Sequence, residues 1–115
     1  MTNNFSYKDS ILTVNQYNKQ FSHLIRDVQM IDDKIIVLLA IPPNDNTINN
    51  LYALNNKCEI LWQAQDLKAV FNEKMLLPYE QIVIDKQEIR ASDFYGRRYY
   101  VNSENGKIIK RDITK

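Results

Sequence analysis

The 115-residue chain is about one domain long, and its 44% hydrophobic and 25% charged residues give an ordinary globular composition that excludes disordered and fibrous classes. Fifteen basic against fourteen acidic side chains leave a formal charge of +1, so no global field draws in nucleic acid or an anionic membrane, and any such binding needs a local patch. Cys58 is the single cysteine, which excludes an internal disulfide framework and is consistent with a reducing compartment.

The N-terminal stretch MTNNFSYKDS has neither a basic nor an apolar signal region, and the expected location is the cytoplasm. β-Branched and apolar residues over Ser10–Val14 and Gln20–Ile25 flank the polar segment 15–19, a pattern that predicts a first hairpin. Val28, Met30 and Ile31 then lead into Asp32-Asp33, whose short side chains suit a turn. The run from Ile35 to Ile41 holds seven consecutive apolar residues, too many for one face of a strand. Its β-branched content and the Pro42-Pro43 stop favour a central strand buried on both faces over a buried helix. At seven residues it is also far short of the ~20 that span a bilayer, so no membrane association is expected.

The segment PPNDNTINN, residues 42–50, reads as a long loop, a length that is either functional or merely tolerated. Leu51–Leu54, a turn at Asn55-Asn56, and Glu59–Gln63 form the next hairpin. With only two glycines in the chain, asparagine is expected to take the positive-φ positions. Leu67, Val70 and Phe71 switch to helical spacing behind Asp66 as N-cap, predicting one short helix near 66–73 of at most two turns. Four further strands follow at Gln81–Ile84, Glu88–Ser92, Arg97–Val101 and Lys107–Ile113, with Asn105-Gly106 as the hairpin signal between the last two.

The whole reads as a single mainly β domain over 1–115, an antiparallel meander of about ten short strands. Residues 28–63 and 81–112 each supply four successive strands, so the expected architecture is a sandwich or curled sheet of two repeats plus an N-terminal hairpin.

The pattern LYALNNKCEILWQ at 51–63 returns as YYVNSENGKIIKR at 99–111. Through Tyr52, Ala53, Leu54, Ile60, Leu61 and Trp62, the first copy resembles the outer hairpin of a blade in quinoprotein-type β-propeller repeats. Cys58 stands where that pattern has its turn glycine. In the second copy Gly106 keeps the glycine and Lys110 replaces the tryptophan. The resemblance implies blade-like hairpins and is no evidence of a cofactor, and two blades cannot close a ring that needs four to eight.

Chemistry-bearing residues are sparse. His23 is the only histidine, there is no CxxC or HExxH, and no Gly-rich phosphate loop can be built from two distant glycines. His23 is read as structural or solvent-facing and Cys58 as incidental, although Lys57 beside it could lower its pKa. Asp45, Glu73, Glu80, Asp85 and Glu88 show no spacing that pairs two carboxylates on one element. The expectation is therefore no enzyme, no catalytic residues, no metal and no cofactor.

One cluster stands apart, Phe94-Tyr95-Gly96-Arg97-Arg98-Tyr99-Tyr100. Aromatics interleaved with arginines suit a protein-interface hot spot or base stacking with phosphate contacts, and equally a half-buried strand on which Tyr99 and Val101 alternate with Arg98 and Tyr100. The expected partner-binding residues are Phe94, Tyr95, Arg97, Arg98 and Tyr100, with Asp45 on the long loop. The leading expectation is a small protein-binding protein, monomeric or a small homo-oligomer, of which an immunity or antitoxin-type inhibitor of a cognate toxin is one form. A nucleic-acid-binding module and a self-assembling propeller-like fragment are the alternatives.

Overall fold

A computed structural model describes residues 4–113. Met1–Asn3, the start of the stretch read for a signal, and Thr114-Lys115, the end of the predicted domain, lie outside them. Among the described residues are eleven strands and one helical turn: β1 (Phe5–Lys8), β2 (Ile11–Val14), β3 (Tyr17–Gln20), β4 (Ile25–Ile31), β5 (Lys34–Leu39), β6 (Leu51–Leu54), β7 (Ile60–Gln63), α1 (Leu67–Val70), β8 (Tyr79–Asp85), β9 (Glu88–Asp93), β10 (Arg97–Val101) and β11 (Ile108–Ile113). They form three antiparallel meanders in chain order, β1-β2-β3, β4-β5-β6-β7 and β8-β9-β10-β11. The two four-stranded sheets correspond to the two repeats of the sequence.

The sheets stack as three layers because the middle one is apolar on both faces. Ile35, Val37 and Leu39 of β5 join Leu12 and Val14 of the first sheet in one core. Ile36 and Leu38, the alternate residues of the same strand, join Ile82, Ile89, Ala91, Tyr99 and Val101 of the third sheet in the other. All five β5 positions are at most 2% exposed, which accounts for the unbroken apolar run.

The N-terminal region differs from the predicted hairpin. Asp9 (φ 56°) and Asn15 (φ 54°) each reverse the chain within two residues, pairing Lys8 with Ile11 and Val14 with Tyr17. The polar segment read as a turn is thus mostly β3, and residues 21–24 are the connector to the next sheet. This three-stranded unit forms its own layer instead of extending a neighbouring sheet. The helix is also shorter than expected. Asp66 caps it by accepting from Lys68 N–H, but Phe71 is already extended (φ −122°, ψ 131°), so only one turn forms.

The two repeated hairpins close alike. Asn55 N–H donates to the Glu59 carbonyl in the first and Asn102 N–H to the Lys107 carbonyl in the second. The residue with positive φ just before the return strand is Cys58 (61°) in one and Gly106 (77°) in the other. Trp62 lies against Gly106, and its indole N–H donates to the Ser103 carbonyl at 2.9 Å, joining the outer strand of the second sheet to the last hairpin of the third.

Candidate functional site

Loop 42–50 is held at both ends. Near its start, Asp45 accepts from Thr47 N–H (2.8 Å) and Thr47 Oγ1 (2.5 Å), and its other oxygen lies 2.7 Å from His23 Nε2. These bonds, Thr47's first, hold the Asp45 carboxyl at about 2, well below its usual 3.8. At its far end Asn49, at φ 60°, accepts from Leu67 N–H and donates to Asp66, tying the loop to α1. Asn50 is 1% exposed. Its amide donates to the carbonyls of Leu39 (2.6 Å) and Tyr79 (3.0 Å) and accepts from Tyr79 N–H (2.8 Å), so one side chain clasps the second sheet to the third.

The β9–β10 turn is built around Asp93. One carboxylate oxygen accepts from Tyr95 N–H (2.9 Å) and Arg97 N–H (3.1 Å), and the other takes the Arg97 Nε–H at 2.6 Å. Arg97 further donates to the Met75 carbonyl and lies 3.5 Å from Glu73. The side chains of Asp93 and Arg97 are 0% and 13% exposed, so the pair is an internal brace for the turn. What the turn displays is apolar: Phe94 is 80% exposed and Tyr95 58%.

Between loop 42–50, the segment 72–78 and this turn runs a groove of about 670 Å³. Its apolar lining includes Pro42, Pro43, Ile48, Leu76, Phe94 and Tyr95. Charged groups stand among them. Glu80 pairs with Arg26 at 3.2 Å, and Glu73 is held below the usual carboxylate range by its hydrogen bond from Arg111. Lys68 and Lys74 also line the groove and make no ion pair among the described residues.

The structure therefore brings together Asp45, Phe94 and Tyr95 and places Arg97 beneath them. It separates the rest of the cluster. Tyr99 is fully buried, and Arg98 and Tyr100 point to the outer face of the third sheet. There Arg98 makes a two-pronged pair with Asp112, both bonds at 2.8 Å, and Arg90 pairs with Glu88 and Asp85. Tyr100 is covered by Arg90, Arg98 and Lys110, whose ammonium lies 4.5 Å from its ring centre, and its hydroxyl donates to Asp112. The alternation reading of this strand describes it better than a single mixed surface.

His23 bridges Ser22 (2.9 Å) and Asp45. Cys58 is 7% exposed, and burial raises its pKa, opposite to the lowering expected from Lys57. No group of three or more metal-ligating side chains occurs among the described residues, and no helix among them is long and apolar enough to cross a membrane. Asn49, Asn50 and Lys74 were not singled out from the sequence. Two adjacent asparagines ending a loop were the only available signal for the clasp.

A comparison with protein families matches residues 2–113 to a domain of unknown function, DUF7957. The chain belongs to this family. The match spans all of the described residues, including both the groove and the outer face of the third sheet. No curated protein matches the chain.

Proposed function

We propose that this DUF7957 domain is a non-enzymatic, cytoplasmic protein-binding protein that engages its partner through the groove between loop 42–50 and the Phe94-Tyr95 turn. The observation that carries this reading is two adjacent aromatics, 80% and 58% exposed, on a turn braced from within by the Asp93–Arg97 pair. Large exposed aromatics on a rigid support, beside a concave apolar surface, are the composition and geometry of an interface anchor. A preorganised turn also lowers the ordering cost of association.

In the form where the partner is a toxin, the domain acts as an immunity or antitoxin-type protein and occludes the toxin's active site. An interface of ~1,200–2,000 Å² is expected for a tight complex. The nucleic-acid alternative draws less support, because Arg97 and Arg98 are already paired with carboxylates and a phosphate would have to displace them.

The test is capture by tagged full-length protein from a lysate of its source cell, with and without nuclease, alongside a Phe94→Ala/Tyr95→Ala variant. One stoichiometric protein retained after nuclease and lost with the double variant is the expected result. Retention that ignores both aromatics, or that vanishes with nuclease, removes the reading.

A further inference from the structure

Beyond the groove reading, we propose that Ser22, His23 and Asp45 form a nucleophilic site, at which the Ser22 hydroxyl takes the acyl group of a small carboxylic ester. The three side chains stand in one hydrogen-bonded line. Ser22 Oγ lies 2.9 Å from His23 Nδ1, and His23 Nε2 lies 2.7 Å from Asp45 Oδ2. These partners decide which nitrogen of the neutral ring carries the proton. Asp45 stays ionised, because Thr47 and His23 hold its carboxyl at about 2, and an ionised carboxylate can only accept. Nε2 therefore carries the N–H that donates to Asp45. Nδ1 is left with its lone pair, and the Ser22 hydroxyl donates to it. A serine hydroxyl bonded to an imidazole base that a carboxylate orients is the arrangement that activates serine as a nucleophile, and either ring nitrogen can serve as the base. The carboxylate is itself fixed, since Thr47 occupies its other oxygen with two hydrogen bonds.

The line opens on a second cavity of about 490 Å³, whose lining includes Ser22, His23, Leu24, Arg26, Ile41 and Pro42. Ser22 is exposed and so within reach of a ligand, while the side chains of His23 and Asp45 are 16% and 33% exposed. Leu24, Ile41 and Pro42 give an apolar wall for a small acyl group. Arg26 contacts Glu80 through one nitrogen at 3.2 Å, and a guanidinium has five N–H donors, so it also brings positive charge to the cavity in which the ester oxygen would become an oxyanion. In the transfer, Ser22 Oγ forms a bond to the ester carbonyl carbon and its proton passes to His23 Nδ1. The bond from that carbon to the alcohol oxygen then breaks, and the alcohol departs with the proton held on Nδ1, which restores the neutral ring. The product is an ester on Ser22. One acyl group is taken per chain, without turnover and without a further reactant.

The experiment treats the full chain with a fluorophosphonate, on which the same attack by Ser22 Oγ expels fluoride and leaves a stable phosphonyl ester, and locates the adduct by peptide mass spectrometry. The wild type is compared with Ser22→Ala, His23→Gln and Asp45→Asn, each checked by thermal unfolding. A single adduct on Ser22 is expected, formed at least about a hundredfold more slowly in His23→Gln and at least about tenfold more slowly in Asp45→Asn. Asp45 acts through the ring as a positioning residue, so its variant is read in a second way. Nitrogen NMR of the chain's only histidine, at a pH where the ring is neutral, should show the Nε2-protonated form in the wild type and a mixture of both forms in Asp45→Asn. No adduct on Ser22, an adduct formed as fast in His23→Gln, or a wild-type ring protonated on Nδ1 overturns the proposal. The first and last of these are read on the wild type alone, so a variant that fails to fold cannot hide them.

Discussion

At the scale of single residues, the side chains that shape the groove do so by binding backbone. Asp45 is the clearest case, since its two oxygens fix Thr47 and His23 and so set the course of loop 42–50. Its carboxyl titrates near 3.8 when free and at about 2 here. A depressed carboxylate pKa means that the loop's anchoring is fully present above about pH 4 and is lost as the pH falls through about 2. Following the Thr47 amide by NMR across that acid range should show its signal moving with an apparent pKa near 2. Asp45→Asn should abolish that titration while leaving the signals of the third sheet in place. A Thr47 titration near pH 4 would mean that the Asp45 contacts are not formed in solution. On the opposite wall Asp93 likewise accepts from backbone N–H groups and from the Arg97 guanidinium.

At the scale of elements, the junction of β7 with the β10–β11 hairpin depends on a missing side chain. A Cβ on Gly106 would lie 2.6 Å from Trp62 Cε3 and 2.8 Å from Cδ2, and the residue sits at φ 77°, which L side chains rarely adopt. Gly106→Ala should therefore destabilise the domain by about 2–4 kcal/mol, from backbone strain and overpacking together. Urea unfolding followed by the fluorescence of the only tryptophan would read both the loss and the displaced indole. A change below about 0.5 kcal/mol would show that the hairpin relaxes freely.

The elements also show what was legible in the sequence. The run at 35–41 announced a strand buried on both faces because no other placement hides so many adjacent apolar side chains. Asp32 was legible because its own backbone takes the positive φ of the turn (54°), and the Asp66 cap because its side chain accepts from Lys68 N–H two residues on. Strand β3 was not, since Tyr17–Gln20 is mostly exposed and polar and carries no hydrophobic alternation. Phe94 to Tyr100 announced an unusual concentration of aromatic and basic groups. Their division between a groove, a core and an outer face depends on strand register and on carboxylates such as Asp112, which no local pattern reveals.

At the scale of the whole molecule, Asn50 is the residue to perturb. It spans 11 and 29 positions of sequence to bond Leu39 and Tyr79, so its role exists only once the second and third sheets are stacked. Asn50→Ala strands a buried N–H and two buried carbonyls and should cost about 3 kcal/mol, seen as a lower urea midpoint with an unchanged slope. A midpoint within error of the wild type would mean that the Asn50 clasp adds nothing to the hold between the sheets.

Because β5 is the shared wall of two cores, the chain also has an order of assembly imposed on it during synthesis. The first two sheets are complete by Gln63, and every residue that covers Ile36 and Leu38 from the third sheet is encoded after Pro78. A nascent chain that has folded its first two layers thus carries a bare apolar wall until some fifty further residues have left the ribosome. The later half of this small domain supplies one wall of the groove, opposite the loop 42–50 that is made before it. A chain stalled or cleaved within 64–78 would expose the surface that the finished protein hides most thoroughly.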